Sequence, residues 1–220
     1  MGREKVVCLF SGGIDSPVAC VLAAKRFEII PLHLCAYPYT GREMLELTID
    51  SLKKVMKVTK FEKAVIYPWT EIMSAIIEKL DRKEYTCLVC KKGMLKAAEL
   101  VCEREGAGGV VTGESLGQKA SQTLSNITAI SSGIKFPILR PLLGLDKLEI
   151  EKISKELGIW QARHAGGCKV VPKHPRTRSN TSDVDKLFDQ LKLAELIRKN
   201  FRRVKEIRTF REDLSPLFAG

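Results

Sequence analysis

Hydrophobic and polar positions alternate along this chain in blocks that read in turn as strands and helices. Residues 6–10 form a short apolar run that breaks into Ser11-Gly12-Gly13-Ile14-Asp15-Ser16 and then into the mostly apolar run 17–25. A short apolar run bounded by glycines predicts a buried parallel strand, and the longer run after it predicts a helix. Ser16 is the expected N-cap, with Pro17 at the first helical position, where its missing N–H costs nothing. Further strands are predicted over 28–34, 64–67, 109–112 and 135–139, and helices over 41–57, 71–80, 88–105 and about 117–128. Asp146 can cap a helix over 147–157, with Glu149 at the capping-box position and Gly158 as its stop. Strands alternating with helices predict an α/β fold, a doubly wound parallel sheet with helices on both faces. From about Ser179 the strands are expected to stop, leaving a basic helical C-terminal tail. The expected organisation is one domain over 1–178 and an extension over 179–220.

In such a sheet the site lies beyond the C-terminal strand ends, so Ser11, Leu34, Gly113 and Arg140 are expected to converge on one crevice. The strand, glycine turn and helix N-terminus around residues 11–16 gather free backbone N–H groups and the positive end of a helix dipole, which suits an anion. Gly12 and Gly13 are expected to let the backbone approach phosphate oxygens. Neither a Walker loop nor G-x-G-x-x-G is present.

Composition narrows the class. The 220 residues, 45% hydrophobic and 29% charged, suit a globular protein with one good-sized core. No apolar run approaches the roughly 20 residues of a membrane span, and Met1 leads straight into the first strand, so neither a membrane partner nor a signal peptide is expected. The seven cysteines, odd in number and mostly within apolar runs, suggest a reducing cytoplasm. Cys8, Cys20, Cys35 and Cys102 read as small core residues. A net charge of +11, with lysine and arginine dense from 169 onward, suits either a polyanionic partner such as RNA or a solvated lysine-rich surface.

Ser11-Gly12-Gly13-Ile14-Asp15-Ser16 resembles the pyrophosphate loop of the PP-loop ATP pyrophosphatases. Thr112-Gly113-Glu114-Ser115-Leu116-Gly117-Gln118-Lys119-Ala120-Ser121-Gln122-Thr123-Leu124-Ser125-Asn126 resembles the signature of the tRNA 4-thiouridine synthases, which are PP-loop sulfurtransferases serving thiamine synthesis in some lineages. Pro137-Ile138-Leu139-Arg140-Pro141-Leu142 with Asp146-Lys147 resembles that family's next block. The resemblance implies ATP-dependent adenylation of a carbonyl oxygen, with pyrophosphate release and replacement of the oxygen by sulfur. Leu9, Phe10, His33, Leu34, Lys91, Gly113 and Gln122 would then contact the adenine nucleotide. Ser11, Gly12, Gly13, Asp15 and Ser16 would hold its phosphates or Mg2+, with Ser11 and Asp15 taking part in catalysis. His33 equally suits a satisfied histidine at a strand end.

Cys87 and Cys90 form a Cys-x-x-Cys beside Lys91 and Lys92 at a predicted helix start, where thiol pKa values are expected to fall. Cys168, among glycines and basic residues, is expected to be exposed and reactive, and the resemblance gives it the sulfur-transfer role. The three cysteines suit a redox pair, a zinc site or an iron–sulfur cluster. The resemblance to synthases without a rhodanese domain favours an iron–sulfur cluster on Cys87, Cys90 and Cys168, against a persulfide on Cys168 alone. It also implies tRNA, a sulfur donor protein or free sulfide, and a homodimer as partners. Typical members precede the PP-loop with a THUMP domain, which this sequence does not display, and Gly93 replaces a bulky residue. The other readings open at this point are an amidating PP-loop ligase using ammonia and a non-catalytic ATP- and RNA-binding subunit.

Overall fold

The first strand is placed by its own alternation. In the computed structural model, which describes residues 2–163 and 168–208, β1 (Lys5–Leu9) sends Val7 to one apolar layer and Val6 and Cys8 to the other. Successive side chains of a strand face opposite ways, so one strand feeds two cores. Its parallel neighbours are β2 (Glu28–Cys35) and β4 (Gly109–Val111). β3 (Ala64–Pro68) lies outside β2, and β5 (Ile138–Leu139) outside β4, both parallel. With β6 (Lys205–Ile207) at the edge beyond β3, the sheet order is β5-β4-β1-β2-β3-β6.

Helices α1 (Asp15–Ala24), α2 (Arg42–Thr59) and α6 (Lys147–Glu156) cover one face through Val18, Val21, Leu52, Val55 and Ile150. Helices α3 (Thr70–Lys79), α4 (Thr86–Glu105) and α5 (Leu124–Ser131) cover the other, joined by α7 (Thr181–Gln190) and α8 (Leu193–Phe201). The doubly wound sheet expected from the sequence is thus present, with helices on both faces. α7 and α8 sink Val184, Phe188, Leu193 and Ile197 into the same core as α4. Gly93 has a reason here, because a Cβ on it would lie 3.2 Å from the Trp69 ring and 3.4 Å from Ile197.

Three local expectations change. The strands do not stop at Ser179: β6 (Lys205–Ile207) runs antiparallel to β3, pairing Ile207 with Ala64. The helix expected over 117–128 begins only at Leu124, capped by the Thr123 hydroxyl, which accepts from the Asn126 amide at 3.3 Å. Gly117, at φ +76, takes the preceding residues out of helical geometry. Of the strand expected over 135–139, only Ile138 and Leu139 pair. The capping box at Asp146 and Glu149 forms as expected, with bonds of 2.8 and 2.7 Å. Among the described residues no helix is long and apolar enough to cross a membrane. Residues 164–167, beside Cys168, and 209–220, at the end of the extension, lie outside the described residues.

Candidate functional site

Strand order reverses between β1 and β4, since the chain moves outward from β1 to β3 and returns through α4 to the other side. In open α/β sheets ligands bind at such a switch point, beyond the carboxyl ends of the strands. Ser11 to Ser16 follow β1, and Gly113 follows β4. The two loops are pressed together, because a Cβ on Gly113 would sit 2.7 Å from the Ser16 backbone nitrogen.

The glycine loop differs in detail from the expectation. Helix α1 starts at Asp15 with Ile14 as its cap residue and no side-chain cap bond, so Ser16 is not the N-cap. Its hydroxyl instead accepts from the Ser11 amide at 2.9 Å and meets the Ser11 hydroxyl at 3.0 Å, pinning the loop across its base. Pro17 stands third in the helix, still among the residues whose N–H groups have no intrahelical partner. Gly12 is required by packing: a Cβ there would meet the Met44 carbonyl of α2 at 2.8 Å. Gly13 is the roomier of the two, the nearest atom to a Cβ there being the Ser11 hydroxyl, in ordinary contact at 3.6 Å. The Asp15 carboxylate accepts from Lys147 Nζ at 2.6 Å, which ties the loop to the start of α6. Together, Asp15 and the Ser11 and Ser16 hydroxyls offer the hard oxygen donors that suit Mg2+.

Around the loop lie the other expected residues. Phe10, the residue after β1, gives its amide to the Leu32 carbonyl at 2.8 Å and its carbonyl to His33 Nδ1 at 3.0 Å. A carbonyl can only accept, so Nδ1 carries the proton and Nε2 is left as an acceptor. Burial lowers the pKa of His33, with the Phe10 carbonyl opposing, so this is a neutral histidine clasping the strand ends. Leu34 is buried in the core and Leu9 packs against it. Gln122 is also buried, and its Oε1 has no hydrogen-bond partner among the described residues.

Lys91 of α4 donates to Glu114 Oε1 at 2.9 Å, and Arg140, after β5, donates to Glu114 Oε2 at 2.9 Å. Arg140 also reaches the Ser131 hydroxyl at 2.7 Å. Burial would raise the Glu114 carboxyl, but Lys91 and Arg140 outweigh it and hold the pKa below the usual carboxylate range. Two cations share one buried anion, leaving a net positive charge beside the loop.

The thiols also depart from expectation. Cys87 and Cys90 are in the first turns of α4, yet both pKa values are raised, not lowered. For Cys87, burial dominates and Cys168 adds to it against Lys91 and Lys119. Burial pushes Cys90 up to about 12 against a bond from Trp69 Nε1 at 3.4 Å, and Cys168 and Cys87 raise it further. Cys168 itself is partly buried against the core rather than fully exposed. Cys168 thus adds to the upward shift of both Cys87 and Cys90. Cys8, Cys20, Cys35 and Cys102 are buried, as expected of core residues. Among the described residues no three His, Cys, Asp or Glu side chains stand ready as a metal-holding group. Thiols are the donor type that iron–sulfur clusters take, but Cys87, Cys90 and Cys168 are not gathered into a metal-holding group among the described residues. Cys90 would exchange its contacts with Trp69 and Met73 for the metal.

The family model described as Thiamine biosynthesis protein (ThiI) matches residues 1–193. The chain belongs to the ThiI family. Curated relatives named "Probable tRNA sulfurtransferase" include one from Methanobrevibacter smithii, 41% identical over 205 residues, covering 90% of this chain and 53% of that protein. Another, from Methanocaldococcus jannaschii, is 40% identical over 203 residues, covering 87% and 51%. A solved 4-thiouridine synthetase–RNA complex with bound ATP superposes with a TM-score of 0.83 at 32% identity, covering 93% of this chain and 55% of that one. The chain therefore spans about half the length of the ThiI-family relatives it matches. Within this ThiI-family fold, Glu114, Lys147 and Asn126 emerge as site-building residues that sequence reasoning left without roles. They stand inside the family motifs, but their partners are residues of other elements that no local pattern discloses.

Proposed function

We propose that this chain is the nucleotide-binding part of a cytoplasmic tRNA sulfurtransferase. The uridine O4 attacks the α-phosphorus of ATP, pyrophosphate leaves, and a sulfur nucleophile then displaces AMP from C4. The observation that carries this reading is the glycine loop at the switch point of a ThiI-family sheet, with Gly13 free of close contacts and a net positive Glu114 cluster beside it. In this reading, loop amides and the start of α1 bind the phosphates, and Asp15 with Ser11 and Ser16 orders them with Mg2+. Lys91 neutralises charge building on the leaving pyrophosphate. Leu9, Phe10, His33, Leu34, Gly113 and Gln122 line the adenosine, and the unspent acceptor of Gln122 awaits a donor from the ligand.

Cys168 presents the sulfur, either beside sulfide that a cluster would bind or as a persulfide whose outer sulfur is passed to its thiolate from the persulfide of a donor protein, which leaves as the thiol. Cys87, Cys90 and Cys168 would hold an iron–sulfur cluster, whose chemistry here would be to bind exogenous sulfide at an open iron. The test incubates the protein with ATP, Mg2+, sulfide and unmodified tRNA, measuring pyrophosphate and thiolated nucleoside. Cys168→Ala should release pyrophosphate yet make no thiouridine; absence of RNA-dependent pyrophosphate from the unaltered chain would sink the proposal. Iron and sulfide content after anaerobic purification, lost in Cys87→Ala, Cys90→Ala and Cys168→Ala, tests the cluster. Iron-free protein that thiolates only when a persulfide-carrying donor protein replaces sulfide would remove the cluster and leave a persulfide on Cys168.

A further inference from the structure

The Asn126 side chain is completely buried, and its amide joins two segments distant in sequence. Nδ2 donates to the Ala120 carbonyl at 2.6 Å and to the Arg176 carbonyl at 2.9 Å, and Oδ1 accepts from the Ser179 hydroxyl at 2.6 Å. Ala120 belongs to the polar loop that carries Gln122; Arg176 and Ser179 belong to the segment that continues from Cys168. Beside it, the Thr123 hydroxyl donates to the Thr177 carbonyl at 2.8 Å. Elsewhere this segment is held by backbone bonds, from Lys169 to the Tyr39 carbonyl at 3.2 Å and from Arg176 to the Glu84 carbonyl at 2.9 Å. Only an amide meets the requirement at position 126, with two donors turned to carbonyls and one acceptor turned to a hydroxyl. A carboxylate there would face two carbonyl oxygens with no proton to offer.

We propose that Asn126 is a positioning residue that locks the Cys168 segment to the nucleotide loop, so that bound nucleotide steadies the thiol for sulfur transfer. The coupling rests on the sulfurtransferase reading above; the lock itself does not. Gln122 gives the loop a buried, unpartnered acceptor for the nucleotide, four residues before Asn126. Nucleotide and thiol segment would thus bear on one short stretch of chain.

The experiment is amide hydrogen exchange on the full chain, with and without Mg2+–ATP, for wild type, Asn126→Asp and the milder Ser179→Ala. Without ATP, exchange over 168–179 should quicken about tenfold in Asn126→Asp and less in Ser179→Ala, with β1 and α4 unchanged. ATP should slow exchange in that segment in the wild type and not in Asn126→Asp. In steady-state assays Ser179→Ala, which releases only the Cys168 side of the lock, should keep the ATP KM and pyrophosphate release within about twofold while thiolation kcat falls at least about fivefold. Unchanged exchange in Ser179→Ala and in folded Asn126→Asp would overturn the lock. Pyrophosphate release and thiolation falling together in Ser179→Ala would overturn the positioning role of Asn126. A wild type that neither binds ATP nor releases pyrophosphate would instead overturn the sulfurtransferase reading and the coupling with it, while the ATP-free exchange still judges the lock.

Discussion

At the residue scale, Gly12 and Gly13 are neighbours with opposite reasons for lacking a side chain. Gly12 abuts the Met44 carbonyl of α2, whereas Gly13 meets only the Ser11 hydroxyl, at 3.6 Å. Gly12→Ala should therefore cost about 1–3 kcal/mol in urea denaturation, as overpacking does. Gly13→Ala should leave the denaturation midpoint nearly unchanged and weaken ATP binding at least about tenfold in calorimetry, because its methyl group fills phosphate space. If Gly13→Ala binds ATP normally, the phosphates lie elsewhere. His33 offers a second check. Its folded pKa is lowered from the ordinary value of 6.5, so the unfolded chain takes up the proton more readily. The stability this contributes is fully present above the ordinary value and is lost as pH falls below it toward the folded value. Between about pH 7.5 and pH 5.5 the wild type should lose more stability than His33→Gln, which cannot titrate. Equal losses would show that His33 accepts a proton freely in the fold.

At the scale of elements, α4 is the organiser. It carries Cys87, Cys90 and Lys91 at its start, presses Gly93 on Trp69, and supports α8 through Ile197. Ile197→Ala should cost about 2–4 kcal/mol by urea denaturation, in a single cooperative transition shared with the rest of the chain. A small cost, or a separate early transition, would show α8 to be peripheral. The polar stretch before α5 shows where periodicity misleads. Leu116, Ala120 and Leu124 are spaced four apart as on a helix, yet Gly117 adopts a positive φ and the Gly117 amide bonds the Gln122 carbonyl at 3.0 Å to close a turn. β6 escaped notice for another reason. Its three residues Lys205-Glu206-Ile207 carry no pattern and become a strand only because β3 offers an unpaired edge.

At the scale of the whole molecule, charge is the property that survives averaging. Under the proposed function, the net charge of +11 over 220 residues should make affinity for tRNA fall steeply with salt. Between 50 and 200 mM salt, binding to unmodified tRNA should weaken by about tenfold or more in filter binding or anisotropy, a loss expected when several phosphates are neutralised. A salt-insensitive affinity would remove the electrostatic part of the argument.

The sequence by itself determined the alternation of strands and helices, the glycine loop after β1, the capping box of α6 and the family. Each is a local matter: period, turn chemistry and cap residues act within a few positions of themselves. Only tertiary structure decided which glycine is free for a ligand, that Ser16 braces Ser11 instead of capping α1, and that burial raises the Cys87 and Cys90 thiols where a helix start alone would lower them. It also decided the partners of Glu114 and Asn126, which come from α4, the end of β5 and the stretch after Cys168. The physical reason is common to all four. Close approach, desolvation and charge pairing depend on distances between segments far apart in the chain, and those distances exist only after the sheet has brought its strand ends together.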